Sequence, residues 1–206
     1  MIYLIITTSI HNKHGIVNAE GRRIRYLDSI RSSLKIIAKF PTIKPIIVEN
    51  NGFTSSYLDD LQCDVVYSDN NKKACAHKGV NELYDIQHVI KQYNIGDDDM
   101  IIKLTGRYKM LDDVFLKTVI NAAENYDAFI KFFNVCTKRY MRDDCVLGLL
   151  AVRCKFLKDF EYKCDTSPEC EIARLAREQI EPHRLMEIKD LQLECCFADD
   201  LRKLIV

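Results

Sequence analysis

Short apolar runs rich in Ile and Val alternate along this chain with segments of helical period. That alternation belongs to a largely parallel sheet covered by helices. The spacing predicts strands over 2–7, 45–48, 64–67, 100–104, 128–133 and 146–152, about six in all. Between the first two, Ile24, Leu27, Ile30, Leu34 and Ile37 form one apolar stripe with Arg22, Arg23, Arg25 and Arg31 interspersed, the pattern of a surface helix ended by Pro41. A second helix is expected through Val80, Leu83, Ile86, Ile90 and Tyr93, and a third after Asp112 and Asp113. Ser167-Pro168-Glu169-Cys170-Glu171 is the capped start of another, running to about Gln179.

Size and charge narrow the picture. With 206 residues and 48% hydrophobic content, the chain suits one domain over 1–206. Thirty Lys and Arg balance thirty Asp and Glu, so no global field points to nucleic acid or an anionic membrane, and any phosphate site must be local. The apolar runs fall short of the roughly 20 residues of a membrane span, and Met1 to Ile6 lacks the flanks of a secretory signal. A cytoplasmic protein is expected. Nine cysteines without paired C-x-x-C spacing agree, as reduced and mostly buried thiols.

Candidate chemistry gathers where the strands end. The run 100–104 stops abruptly in Thr105-Gly106-Arg107, and ligands of parallel α/β sheets bind at the carboxyl ends of the strands. Gly106 permits close backbone approach and Arg107 suits phosphate. The first strand ends in Thr7-Thr8-Ser9, the second in Glu49-Asn50, and the third is followed by Ser68-Asp69-Asn70-Asn71. Together these make a polar rim able to hydrogen-bond a base or ribose. Lys78-Gly79 opens the second helix, where the helix dipole and a Lys suit a phosphate.

Asp97-Asp98-Asp99 precedes the fourth strand, at the opposite end of the sheet, and is expected as a solvated turn. Glu169 and Glu171 are candidates for a general base, and helix-dipole pairing is the competing role of both. His183 is a candidate for metal ligation or proton transfer, whereas His11 and His14 are expected in loops. No Gly-x-Ser-x-Gly, P-loop or Gly-x-Gly-x-x-Gly occurs, which argues against an α/β-hydrolase, a P-loop nucleotidase or a dinucleotide enzyme.

These segments, with His77-Lys78-Gly79, Ile102 to Tyr108 and Gly148 to Arg153, resemble a GT-A-fold glycosyltransferase of the small UDP-sugar-dependent kind encoded by chlorella viruses and other large DNA viruses. The resemblance implies a GT-A-like, Rossmann-like mixed and mostly parallel sheet. It also implies a nucleotide-binding half over about 1–110 and an acceptor half over about 111–206. Uridine contacts would come from Thr7, Thr8, Ser9, Glu49 or Asn50, and Lys78 would approach the diphosphate. Glu169 or Glu171 would be the base. The donor would be a UDP-sugar of rhamnose or glucose type and the acceptor a glycan.

Such enzymes carry Asp-x-Asp after the fourth strand, where this chain has Thr105-Gly106-Arg107. Either Arg107 and Lys78 neutralise the diphosphate directly, or Mn2+ or Mg2+ is held by ligands from elsewhere, Asp69 and His183 being candidates. Sugar-phosphate nucleotidyl transfer and non-catalytic nucleotide or glycan binding are the alternatives.

Overall fold

The first strand, β1 (Ile2–Thr8), is buried along almost its whole length because helices cover both of its faces. The computed structural model describes residues 1–11, 19–73, 78–197 and 202–206, and the backbone of residue 78 without its side chain. The order continues α1 (Ala19–Ile37), β2 (Ile43–Glu49), β3 (Asp64–Tyr67), α2 (Lys78–Tyr93), β4 (Met100–Thr105), β5 (Lys109–Met110), α3 (Val114–Ala122), β6 (Ala128–Ile130) and β7 (Leu149–Arg153). It ends with α4 (Cys154–Leu157), α5 (Pro168–Gln179), β8 (Leu185–Glu187), β9 (Leu193–Cys196) and β10 (Lys203–Ile205).

A seven-stranded sheet has the order β3-β2-β1-β4-β7-β6-β8, and a three-stranded antiparallel sheet has the order β10-β9-β5. In the large sheet only β7 runs against its neighbours β4 and β6. The carboxyl ends of β3, β2, β1, β4 and β6 therefore lie along one edge, and the amino end of β7 joins them there. Register sets the neighbours: Thr7 stands beside Thr105, and Thr8 beside Glu49.

The helices form where their periodicity places them, but the buried face of α1 is turned from the expected stripe: Ile30 and Ile37 are buried beside Tyr26, Ser29 and Ser33, while Ile24 is exposed. Arg22 and Arg25 lie on its buried side, because each guanidinium finds fixed acceptors: Ser9 O and Tyr26 Oη for Arg22, Glu194 and Arg107 O for Arg25. The last two strands expected from the sequence, over 128–133 and 146–152, also differ in extent. β6 stops at Ile130 and β7 begins at Leu149, since 131–147 turn away from the sheet as a connection pinned by the bridges Phe132 to Cys145 and Asn134 to Arg139.

Apolar side chains fill both sides of the large sheet. Ile5, Val48, Leu83, Val89, Leu150 and Ile172 pack on one side, and Ile6, Ile47, Leu104, Leu116 and Leu149 on the other. Residues from both halves of the chain enter each cluster, so burial ties the halves together.

Candidate nucleotide-sugar site

Helix α2 determines what lies beneath the carboxyl edge. Glu82, Asp85 and Val89 follow one another at helical spacing, so the face that buries Val89 among apolar side chains carries carboxylates in its first turns. A buried carboxylate requires donors or a counter-charge. Asp85, fully buried, accepts from Asn50 Nδ2 at 2.8 Å, Ser68 Oγ at 3.0 Å and Asn70 Nδ2 at 2.9 Å. Burial outweighs those bonds and pushes its carboxyl up to about 7.

Glu82 meets Lys103, a lysine placed in the middle of an otherwise apolar strand and only 3% exposed. The Lys103 ammonium pairs with Glu82 and donates to Thr105 Oγ1 at 2.8 Å and Leu147 O at 2.5 Å, which uses its three protons. Thr105 Oγ1 in turn donates to Glu82 at 3.1 Å. Burial works against ionised Glu82, but Lys103, Arg107 and these hydrogen bonds outweigh it and hold its carboxyl below the usual range.

Arg107 completes this group. Its Nε donates to Cys196 O at 2.8 Å, while its own carbonyl accepts from Arg25 Nε at 2.7 Å and Ser29 Oγ at 3.2 Å. The guanidinium carbon lies 5.1 Å from the Tyr108 ring centroid, and the two terminal nitrogens make no hydrogen bond among the described residues. Gly106 lets the strand end pass close to β1: a Cβ there would stand 2.8 Å from Thr8 Cγ2 and 3.0 Å from Thr7 O.

Glu82, Lys103, Thr105, Arg107 and Tyr108 line one side of a cavity of about 380 Å³, and Val135, Cys145, Leu147, Ser167 and Glu169 complete it. Helix α5 brings Glu169 there. Ser167 caps it, its Oγ accepting from Cys170 N at 3.3 Å, and Pro168 takes the first turn. The Glu169 carboxylate accepts no hydrogen bond among the described residues. Glu171, two residues further on, is buried and accepts from Lys163 N at 2.6 Å and Cys164 N at 2.7 Å. Its carboxylate is committed to fixing the segment before the helix.

The polar rim divides similarly. Thr8 Oγ1 donates to Glu49 at 2.7 Å, and Glu49 also accepts from Ile10 N and Asn51 N, so this buried pair ties the ends of β1 and β2 together. Burial, partly offset by those bonds, raises the Glu49 carboxyl. Asn50 and Asn70 are bound to Asp85, yet Asn50 Oδ1 and Thr7 Oγ1 are buried without a partner among the described residues. Ser9 Oγ donates to His11 O in an exposed turn. Asp69 is exposed and faces Lys72 at 3.5 Å.

His183 lies in the short helical turn before β8, at the amino end of that strand. Asp69 and His183 therefore occupy opposite edges of the sheet, and the fold does not bring them together around one metal ion. Among the described residues no three His, Cys, Asp or Glu side chains gather into a metal site. Asp97 to Asp99 sit at the amino edge, where Asp97 pairs with Lys158 at 2.5 Å. The side chain of Lys78, and His14, Cys75 and His77, lie outside the described residues.

Glu82, Lys103 and Asp85 carry no functional motif in the sequence. Charged residues default to the surface, but the 82–85–89 spacing and a lysine inside an apolar strand were available signals.

No family model matches the sequence, and no curated protein matches it. Solved structures do share its architecture. A protein described as a nucleotide-diphospho-sugar transferase in Desulfovibrio desulfuricans G20 matches 91% of this chain and 79% of its own, at TM-score 0.55 and 12% identity. The fold is that of nucleotide-sugar transferases. A cytidylyltransferase from Leptospira borgpetersenii shares this nucleotide-sugar transferase fold over 91% of the chain and 75% of its own, at TM-score 0.56 and 14% identity. So does a mannosyltransferase from Pyrobaculum calidifontis in complex with GDP-mannose and Mn2+, over 92% of the chain and 55% of its own, at TM-score 0.56 and 10% identity. In such sheets the carboxyl edge is the ligand edge, which is where the Arg107 and Glu169 cavity opens.

Proposed function

We propose that the chain is a glycosyltransferase that moves a sugar from a UDP-sugar to a hydroxyl of a glycan. The observation that carries this reading is one cavity holding an anchored guanidinium, Arg107, whose terminal nitrogens have no partner among the described residues, and a carboxylate, Glu169, that likewise has none. Glu169 takes the proton of the acceptor hydroxyl as its oxygen bonds to the anomeric carbon. The bond from that carbon to the β-phosphate oxygen breaks, and UDP departs with its charge met by Arg107. Glu171 supports the helix start on which Glu169 stands.

Thr7, Ser9 and Asn50 have polar atoms left over for the uridine, while Thr8, Glu49, Asn70 and Asp85 hold the rim in shape. Lys78, at the start of α2, would add charge at the diphosphate. The sugars that the resemblance implies are rhamnose and glucose. Among the described residues no helix is long and apolar enough to cross a membrane.

Mn2+ or Mg2+, which the resemblance implies, does not fit the described residues at the end of β4. A divalent cation seeks paired carboxylate oxygens, and of the two carboxylates that line the cavity Glu82 is already taken up by Lys103 beside a second cation, Arg107, which leaves Glu169 without a second carboxylate to pair with. No step here depends on a metal.

Arg107→Ala should lower transfer from a UDP-sugar by about 100-fold or more, by the measure of a lost transition-state donor, and unchanged turnover would remove Arg107 from the mechanism. Nucleotidyl transfer to a sugar phosphate is a second reading, favoured by the cytidylyltransferase likeness. Pyrophosphate release from CTP with a panel of sugar phosphates, absent any turnover of UDP-sugars, would establish it instead.

A further inference from the structure

The connection between β6 and β7 forms one wall of the cavity and then projects beyond it. Val135 and Cys145 at its base line the same space as Glu169. Above them the chain is not slack. Asn134 accepts from Thr137 N at 2.6 Å, donates to Asp144 at 2.5 Å and exchanges backbone bonds with Lys138 and Arg139. Lys138 takes a left-handed turn, φ +57°.

This fixed turn presents Lys138, Arg139 and Arg142 to solvent, with Tyr140 62% and Met141 40% exposed between and beside them. None of the three cations has an ion pair or side-chain hydrogen bond among the described residues. Asp143 is the one exposed acid of the turn, since Asp144 is buried against Asn134. In a chain of zero formal charge this is a local cationic surplus, beside the carboxylate proposed to activate the acceptor.

We infer that this turn is an acceptor-recognition element, and that the acceptor is an anionic saccharide bearing carboxylate, sulfate or phosphate groups. Lys138, Arg139 and Arg142 bind its charges, and the Tyr140 ring lies against the apolar face of a sugar unit, which places a hydroxyl of the next unit toward Glu169. The inference rests on the glycosyltransferase reading for its acceptor, but binding tests it without turnover.

The test is calorimetry on the full chain at low salt with a uronate tetrasaccharide, a sulfated tetrasaccharide and a neutral tetraglucoside, alongside an oligothymidylate and vesicles containing anionic lipid. The anionic saccharides should bind about tenfold or more tightly than the neutral one, and the gap should close as salt rises. The double variant Arg139→Ser, Arg142→Ser should erase that gap, whereas Tyr140→Ala should weaken all saccharides alike. Equal affinity for neutral and anionic saccharides, or tightest binding to the oligonucleotide or the vesicles, would overturn the inference. Titration of UDP into the unaltered chain judges the donor reading separately, so the two can fail independently.

Discussion

Lys103 shows how far a single residue can depart from its default. An ammonium inside a fully buried strand is tolerated because Glu82, Thr105 and Leu147 O accept all of its protons. Lys103→Met removes that partner and leaves Glu82 charged in the interior, an arrangement that costs about 3–5 kcal/mol when one member of a buried pair is lost. Adding Glu82→Gln should return part of the loss. Urea unfolding of the single and double variants measures both, and a single variant as stable as the double would show that the pair is not needed to neutralise Glu82.

Asp85 makes the opposite kind of prediction. Its carboxyl is raised from 3.8 to about 7, so the native state holds a proton there that the unfolded chain has released. Stability from this group is present below about pH 4 and declines as pH rises toward 7, by up to about 1.4 kcal/mol per pH unit. Asp85→Asn should remove this part of the pH slope in chemical denaturation between pH 4 and 7. An unchanged slope would mean that another group causes it.

Among the elements, α2 and α5 meet where the cavity is built. A Cβ on Gly79 would stand 2.6 Å from Pro168 Cβ and 3.0 Å from Leu147 Cδ2, so the two helix starts approach this closely only over a glycine. Gly79→Ala should push α5 outward, destabilise by about 1–3 kcal/mol and carry Glu169 away from its place. The transfer rate should then fall more than donor affinity does. Equal losses in kcat and in UDP binding would point to general disorder of the edge rather than to the helix contact.

The same scale explains what could be read from sequence alone. β1, β2 and β4 and the helices α1 and α2 were legible because each run is long enough to show its period, and the four-residue β3 because the polar turn Ser68-Asp69-Asn70-Asn71 follows it directly. β5, β8, β9 and β10 have only two to four residues each, too few for any periodicity, and their pairing is decided by tertiary contacts. The rim at Thr7, Asn50 and Thr105 was legible from strand ends. The links from Glu82 to Lys103 and from Asp85 to Asn50 were not, because they join residues brought together by the crossover of α2. His183 had no sequence signal to reveal the edge of the sheet on which it falls, since β8 itself was not apparent.

For the whole molecule, the direction of β7 matters most. By running against β4 it brings Gly148 and the basic turn to the edge where β1, β2 and β4 end, and it carries the chain to the far edge, from which residues 158–167 return so that the start of α5 can supply Glu169. The carboxyl-terminal strands then close over α1, with β9 holding Arg107 through Cys196 O. A nucleotide bound there as proposed would touch groups from β1, β2, β4 and α5 together, so its binding energy should appear as stability of the entire fold. At a concentration one hundred times its dissociation constant, UDP should add about 2.7 kcal/mol, or a rise in Tm of about 5–10 °C for a chain of this length. The rise should be the same with EDTA as with Mn2+ if Arg107 meets the diphosphate charge, and Arg107→Ala should abolish it. A rise that needs Mn2+ would restore a metal to this edge, whereas a larger rise with CTP than with UDP would favour nucleotidyl transfer over sugar transfer.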